Sequence, residues 1–126
     1  MILKEIILAR QVLTRLSATK LDFQLAYLMA KFMSETEGDA QFYVDKTNEI
    51  IKEFNGEQSS QDQGFVFPEE NTPKVIEAMT LLDNTKVKEP TTKLPLDKMS
   101  SIKDFTMEQA IAILPFVLES GGENNG

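Results

Sequence analysis

The sequence contains no cysteine and no histidine. Without cysteine there is no disulfide framework and no thiolate chemistry, a composition that suits a reducing cytoplasm. Without histidine the usual neutral-pH proton shuttle is missing, and with both residues absent so are the best zinc ligands. Only hydroxyls, amines and carboxylates remain for chemistry, which means hard cations or a nucleophile activated by lysine or a carboxylate. No stretch approaches the roughly 18 uninterrupted apolar residues of a membrane-spanning helix. Met1-Ile2-Leu3-Lys4-Glu5 offers neither the basic lead nor the small-residue cleavage site of a secretory signal, since Ile6-Ile7-Leu8-Ala9 runs straight into Arg10. Neither phosphate-binding glycine motif is present. The expectation is a soluble cytoplasmic protein with no cofactor, no metal and no catalytic role.

Positive charge is scarce in one region. Residues 1–33 carry five basic and two acidic groups, residues 34–71 two basic and ten acidic, and residues 72–126 six and eight, for a net charge of −7. A surface of this sign repels nucleic-acid phosphates, so nucleic acid is not expected as a partner; without a long apolar run, no membrane is expected either.

What is there is helical periodicity. Ile2, Ile6, Ala9, Leu13 and Leu16, widened by Leu3, Ile7 and Val12, predict a buried amphipathic helix from Ile2 to Leu16. Thr19 followed by Asp22 predicts the cap of a second helix. Ala26, Met29, Met33, Thr36, Ala40, Tyr43, Thr47, Ile50 and Phe54 then alternate steps of three and four. They predict one long central helix, or two halves meeting near Gly38, where glycine weakens the helix by about 1 kcal/mol. Asn55-Gly56 predicts a left-handed cap, and residues 57–64 a mobile polar loop.

Phe65-Val66-Phe67 reads as a short strand with Lys86-Val87-Lys88 as its expected partner. Between them Thr72-Pro73 opens a helix with Val75, Ile76, Met79 and Leu82 inward. Residues 89–99 are expected to run extended, anchored by Leu94, Leu96 and Met99. Thr106 and Gln109 form a capping box for a last short helix, Met107 to about Leu114, ending at Pro115. The fold expectation is mainly α: a long central helix with the N-terminal helix packed on it, two short helices and a small two-stranded β element. Residues 1–120 form one domain, with 121–126 as a disordered tail.

Leu25-Ala26-Tyr27 with Lys31-Phe32, Gln41-Phe42-Tyr43 leading to Glu49-Ile50-Ile51-Lys52, Leu81-Leu82-Asp83-Asn84-Thr85 before Val87, and Phe105-Thr106 through Leu114-Pro115-Phe116 follow in an order that resembles a family of small proteins from bacteriophages and prophages of Gram-positive bacteria. That family has no assigned reaction. The resemblance implies a viral origin and a small accessory role, and it brings no catalytic residue with it.

Two features are candidates for partner binding. Asp45, Glu49, Glu53 and Glu57 recur every four residues and, on a continuing helix, would stack into a negative ridge; the same pattern also reads as a solvated face relieved by Lys46 and Lys52. Phe65 and Phe67 flank Val66 on a short strand, so at least one apolar side chain faces outward. Glu35, Glu37 and Asp39 lack the spacing of a calcium loop. The C-terminal apolar residues Phe105, Ile111, Leu114, Phe116, Val117 and Leu118 are expected to cover the central helix or to mediate self-association. The functional expectation is binding to another protein, as a phage-encoded inhibitor of a host or anti-phage defence protein. The alternative is a minor virion or assembly component.

Overall fold

In the computed structural model, which describes residues 1–59, 64–99 and 102–118, six α-helices carry most of the chain. Helix α1 spans Leu3–Leu16 and buries Leu3, Ile6, Ala9, Val12, Leu13 and Leu16, most of the stripe its spacing predicts, while Ile2 precedes the helix as its cap and, like Ile7, is half-buried. Its first turn is closed by the Ile2 amide, which donates to Glu5 Oε1 at 2.9 Å. Helix α2, Phe23–Glu35, starts later than Thr19 suggests. Its cap is Asp22, whose Oδ2 accepts from the Leu25 amide at 3.2 Å, while the Thr19 hydroxyl turns back to donate to Leu16 O.

The long central helix is divided. α2 ends at Glu35 and α3 runs Glu37–Glu53, with Thr36 between them at φ −101°, ψ 9°. The break falls two residues before Gly38, and a Cβ built on Gly38 would meet nothing within 4 Å. Arg10 of α1 marks the junction instead. Its Nη1 donates to Met33 O and to Thr36 Oγ1, both at 2.7 Å, and its Nη2 donates to Glu37 Oε1 at 3.2 Å. The guanidinium thus takes up a carbonyl at the negative end of α2, where a cation is favoured. Thr36 is buried, and its hydroxyl donates to Phe32 O at 2.8 Å. The Thr36 amide still donates to Phe32 O and the Ala40 amide to Thr36 O, each at 3.0 Å. The inward stripe therefore keeps its phase: Met29 and Thr36 are buried, and Met33, Ala40, Tyr43, Thr47, Ile50 and Phe54 are half-buried.

α3 ends as Asn55-Gly56 predicts. Asn55 takes φ 59°, the Gly56 amide donates to Ile51 O at 2.7 Å and the Asn55 amide to Lys52 O at 3.4 Å, the paired bonds of a Schellman cap. Strand β1, Glu57–Gln58, follows directly and pairs antiparallel with β2, Phe65–Val66, in the register Glu57↔Val66 and Gln58↔Phe65. This corrects two expectations. The start of the 57–64 segment is a strand, with residues 60–63 outside the described residues, and β2 does not pair with Lys86-Val87-Lys88. That segment meets the N-terminus instead: the Leu3 amide donates to Thr85 O, the Val87 amide to Met1 O, and Ile2 bridges Lys86.

Helix α4, Thr72–Asp83, starts one residue before the predicted proline, with Asn71 as its cap. Leu82 is buried, but Ile76 is exposed. β3, Leu94–Pro95, pairs in parallel with β4, Val117–Leu118, a second small sheet that the sequence did not suggest. Leu94 and Met99 anchor residues 89–99 as expected; Leu96 is exposed and starts the short helix α5, Leu96–Met99. Helix α6, Met107–Ile113, opens with the predicted capping box, the Gln109 amide donating to Thr106 Oγ1 at 3.1 Å and the Thr106 amide to Gln109 Oε1 at 3.0 Å. Pro115 lies in the 3-10 turn Leu114–Phe116 that follows.

The core lies where α1, α2 and α6 meet Leu94, Met99 and Ile102. Phe116 is fully buried against Phe32, edge to face at a centroid distance of 4.9 Å, an arrangement that adds about 0.5–1.5 kcal/mol to the burial itself. The expected tail, 121–126, lies outside the described residues.

Candidate protein-binding groove

Helix α3 has no fully buried side chain along its 17 residues. It lies against α1 on one side and α4 on another. Tyr43 holds the α4 side: its hydroxyl donates to Asp83 Oδ1 at 2.9 Å, and Lys4 Nζ reaches Asp83 Oδ2 at 3.4 Å. Burial, reinforced by that hydrogen bond and the Asp83 charge, pushes the Tyr43 hydroxyl up to about 12.

On the α1 side the two helices touch, but the seam is not filled. A groove of about 460 Å³ runs between them, lined by Ile7, Arg10, Gln11 and Thr14 of α1, Met33 of α2, Ala40, Tyr43, Val44, Thr47, Asn48 and Ile51 of α3, and Phe65 of β2. Val44 is 50% exposed and Phe65 45% exposed. Thr47 Oγ1 is buried there without a hydrogen-bond partner among the described residues. A hydroxyl left so costs about 1–3 kcal/mol, a cost that an incoming donor or acceptor would relieve. The volume falls within the roughly 300–1,000 Å³ of ligand sites, and the lining is mostly apolar with a few polar groups.

Of the six residues singled out in the sequence, the groove takes in Phe65 alone. Phe67 packs inward on the α3 cap: a Cβ on Gly56 would stand 2.7 Å from Phe67 Cε1 and 3.0 Å from Ile51 Cγ2. Asp45, Glu49 and Glu53 are exposed on α3, but Glu57 has left the helix for β1, so the four-residue ridge is one member short. The ridge also turns away from the groove. Glu53 is nine residues beyond Val44, about two and a half turns, which puts it on the opposite flank. Its charge is locally relieved, since Lys46 Nζ sits 3.3 Å from Glu49 Oε1 and 5.7 Å from the Phe42 ring centroid, and Gln41 Nε2 donates to Asp45 Oδ1 at 2.9 Å. Sequence reasoning missed Val44, Ile51 and the α1 wall. The signal was a second stripe, Ala40, Val44, Thr47 and Ile51, at helical steps just beside the first.

The chain matches no protein-family model, no curated protein and no solved structure. Among the described residues no three Asp or Glu side chains are gathered so as to hold a metal ion, and no helix is long and apolar enough to cross a membrane.

Further apolar side chains lie exposed outside the groove. Met107, Ile111 and Leu114 recur at helical spacing along α6 and its following turn, at 79%, 64% and 62% exposure. The C-terminal segment thus divides: Ile113 and Phe116 cover the core, and these three do not.

Proposed function

We propose that this chain is a small accessory protein of a bacteriophage or prophage that acts in the host cytoplasm by seating an apolar segment of another protein in the α1–α3–β2 groove, and so inhibits a host or anti-phage defence protein. The observation that carries the binding role is α3 itself: a 17-residue helix without one fully buried side chain, beside an apolar groove of about 460 Å³. A helix of this composition draws most of its stability from packing, so its uncovered side is an area for a second surface to cover. The phage attribution is supported by the residue pattern from Leu25 to Phe116, and the inhibitory role follows from the accessory role that this resemblance implies.

The test uses tagged protein as bait in lysate of the native host, followed by reconstitution with the purified captured protein. Val44→Arg fills the groove with a cation, and Glu53→Lys changes charge on the far flank of α3. The expected result is a dominant captured protein that binds wild type and Glu53→Lys alike and loses Val44→Arg. Retention by Val44→Arg with loss by Glu53→Lys would move the contact to the acidic flank and overturn the groove.

A second reading, a virion or assembly component, draws on the stripe Met107, Ile111, Leu114, which offers a surface for symmetric self-association. Copurification with particles and a mass of several protomers in light scattering would favour it; a monomer that captures one host protein counts against it.

A further inference from the structure

At the C-terminal end of α1 a second cleft, of about 470 Å³, is lined by Arg15, Thr19 and Lys20 on one side and by Lys103, Asp104 and Gln109 on the other. The described residues include five ion pairs between lysine or arginine and a carboxylate, and none of them involves Arg15, Lys20 or Lys103. Three cations and the single carboxylate of Asp104 give this cleft a net charge of +2. Taking +2 from the chain total of −7 leaves −9 on the remainder. All three cations are exposed, so water and salt screen most of their mutual repulsion, and an anion bound among them gains from three charges at once.

The charge selects the kind of anion. A phosphate monoester carries roughly −1.5 to −2 at neutral pH, which matches the cleft, whereas a carboxylate or a phosphodiester brings a single charge. The side chains have complementary roles: the planar Arg15 guanidinium suits two phosphate oxygens at once, and Lys20 and Lys103 act as point charges. Gln109 is fixed by its Oε1, which accepts from the Thr106 amide at 3.0 Å, so its amide NH₂ is left to donate. The Thr19 hydroxyl already donates to Leu16 O at 2.7 Å, leaving it to accept from a ligand hydroxyl.

Size selects further. The cleft is of small-ligand dimensions and many times the ~30 Å³ share of a water molecule, so there is room for an organic substituent beside the phosphoryl group. An extended polyanion fits poorly. Screening reaches only about 8 Å at physiological ionic strength, so a long phosphate backbone leaving the cleft meets the acidic remainder of the surface. We infer that the cleft between the end of α1 and the start of α6 binds the phosphoryl group of a small phosphate monoester of mononucleotide size, held by Arg15, Lys20, Lys103 and Gln109. This site is separate from the α1–α3 groove and stands whether or not the groove binds a protein.

Amide NMR titrations of the full chain with adenosine 5′-monophosphate, inorganic phosphate and adenosine test it. The monophosphate is expected to shift Lys20, Lys103 and Gln109 saturably, with a Kd of about 1 mM or tighter. Inorganic phosphate should compete more weakly, and adenosine should leave these resonances in place. Arg15→Glu and Lys103→Gln should each weaken binding about tenfold or more, while Lys74→Glu, on exposed α4, should leave it unchanged. Lys103→Gln carries the test should Arg15→Glu fail to fold by circular dichroism. No saturable shift with either phosphate, equal weakening by Lys74→Glu, or tighter binding of a single-stranded oligonucleotide than of the monophosphate would overturn the site. Inorganic phosphate binding more tightly than the monophosphate would overturn the organic ligand.

Discussion

Glu35, at the last residue of α2, is expected to contribute measurably to stability at neutral pH although it is exposed. Its Oε2 accepts from the Thr91 amide at 2.6 Å and the Thr91 hydroxyl at 2.9 Å, and its Oε1 from the Thr92 amide at 3.0 Å and the Thr92 hydroxyl at 2.8 Å. These bonds tie the end of α2 to a segment whose Thr92 and Leu94 are buried. The Thr91 amide above all, with the Thr92 hydroxyl and amide and the Thr91 hydroxyl, lowers the carboxyl from 4.5 to about 2 against a partial desolvation that raises it. At ~1.4 kcal/mol per tenfold change in proton affinity, the lowering would amount to about 3.5 kcal/mol at most. Screening by solvent at an exposed site reduces it to about 1–2 kcal/mol. The carboxylate form is favoured in the folded state, so this stability is present above the ordinary value of 4.5 and is lost as pH falls from there towards about 2.

Urea unfolding followed by circular dichroism at a series of pH values measures it. Glu35→Ala is expected to lose about 1–2 kcal/mol at pH 7 and roughly 4–10 °C in Tm, with the gap to wild type closing as pH drops through that window. Glu35→Gln keeps one acceptor but turns an NH₂ towards two donors, so it should recover less than half of the loss. A Glu35→Ala protein within about 0.3 kcal/mol of wild type, or a gap that stays constant through the acid range, would refute the reasoning.

Phe116→Ala removes the ring that meets Phe32 edge to face and should cost about 3–5 kcal/mol in urea unfolding. Gly56→Ala places a Cβ 2.7 Å from the Phe67 ring and should cost about 1–3 kcal/mol, whereas Asn55→Gly, at φ 59°, should change stability by no more than a few tenths of a kcal/mol; equal effects would remove the close approach as the reason for the glycine. Val44→Arg should keep stability within about 0.5 kcal/mol of wild type while weakening the captured partner at least tenfold in calorimetry; a loss of stability larger than that would mean the groove is part of the core.

Features that depend on neighbours in the chain were legible. The α1 stripe, the capping box at Thr106 and Gln109, and the left-handed Asn55 all rest on side-chain spacing or on hydrogen bonds within one turn. Features that depend on distant segments were not. The expected partner of Phe65-Val66 was Lys86-Val87-Lys88, and residues 57–64 were expected to form a loop; in the structure Glu57–Gln58 is the partner and Lys86 is taken by Ile2. The candidate site was legible only at Phe65. The acidic ridge was drawn on the assumption that the helix runs through residue 57, and the Schellman cap ends it at Glu53.

The order of amino acids by itself determined a mainly α chain, the inward phase of the stripe from Ala26 to Phe54, and the stops at Asn55 and Pro115, because backbone conformation and amphipathic spacing act within a few residues. Only tertiary structure decided where the central helix divides and which of its sides stays open. A glycine in a helix marks weakness, but the division lies at Thr36, where a guanidinium from a helix 26 residues earlier takes up the Met33 carbonyl and the Thr36 hydroxyl. That α1 and α3 touch yet leave a groove at their seam, with Val44 and Phe65 uncovered, depends on how three elements far apart in the chain pack together, which no local pattern encodes.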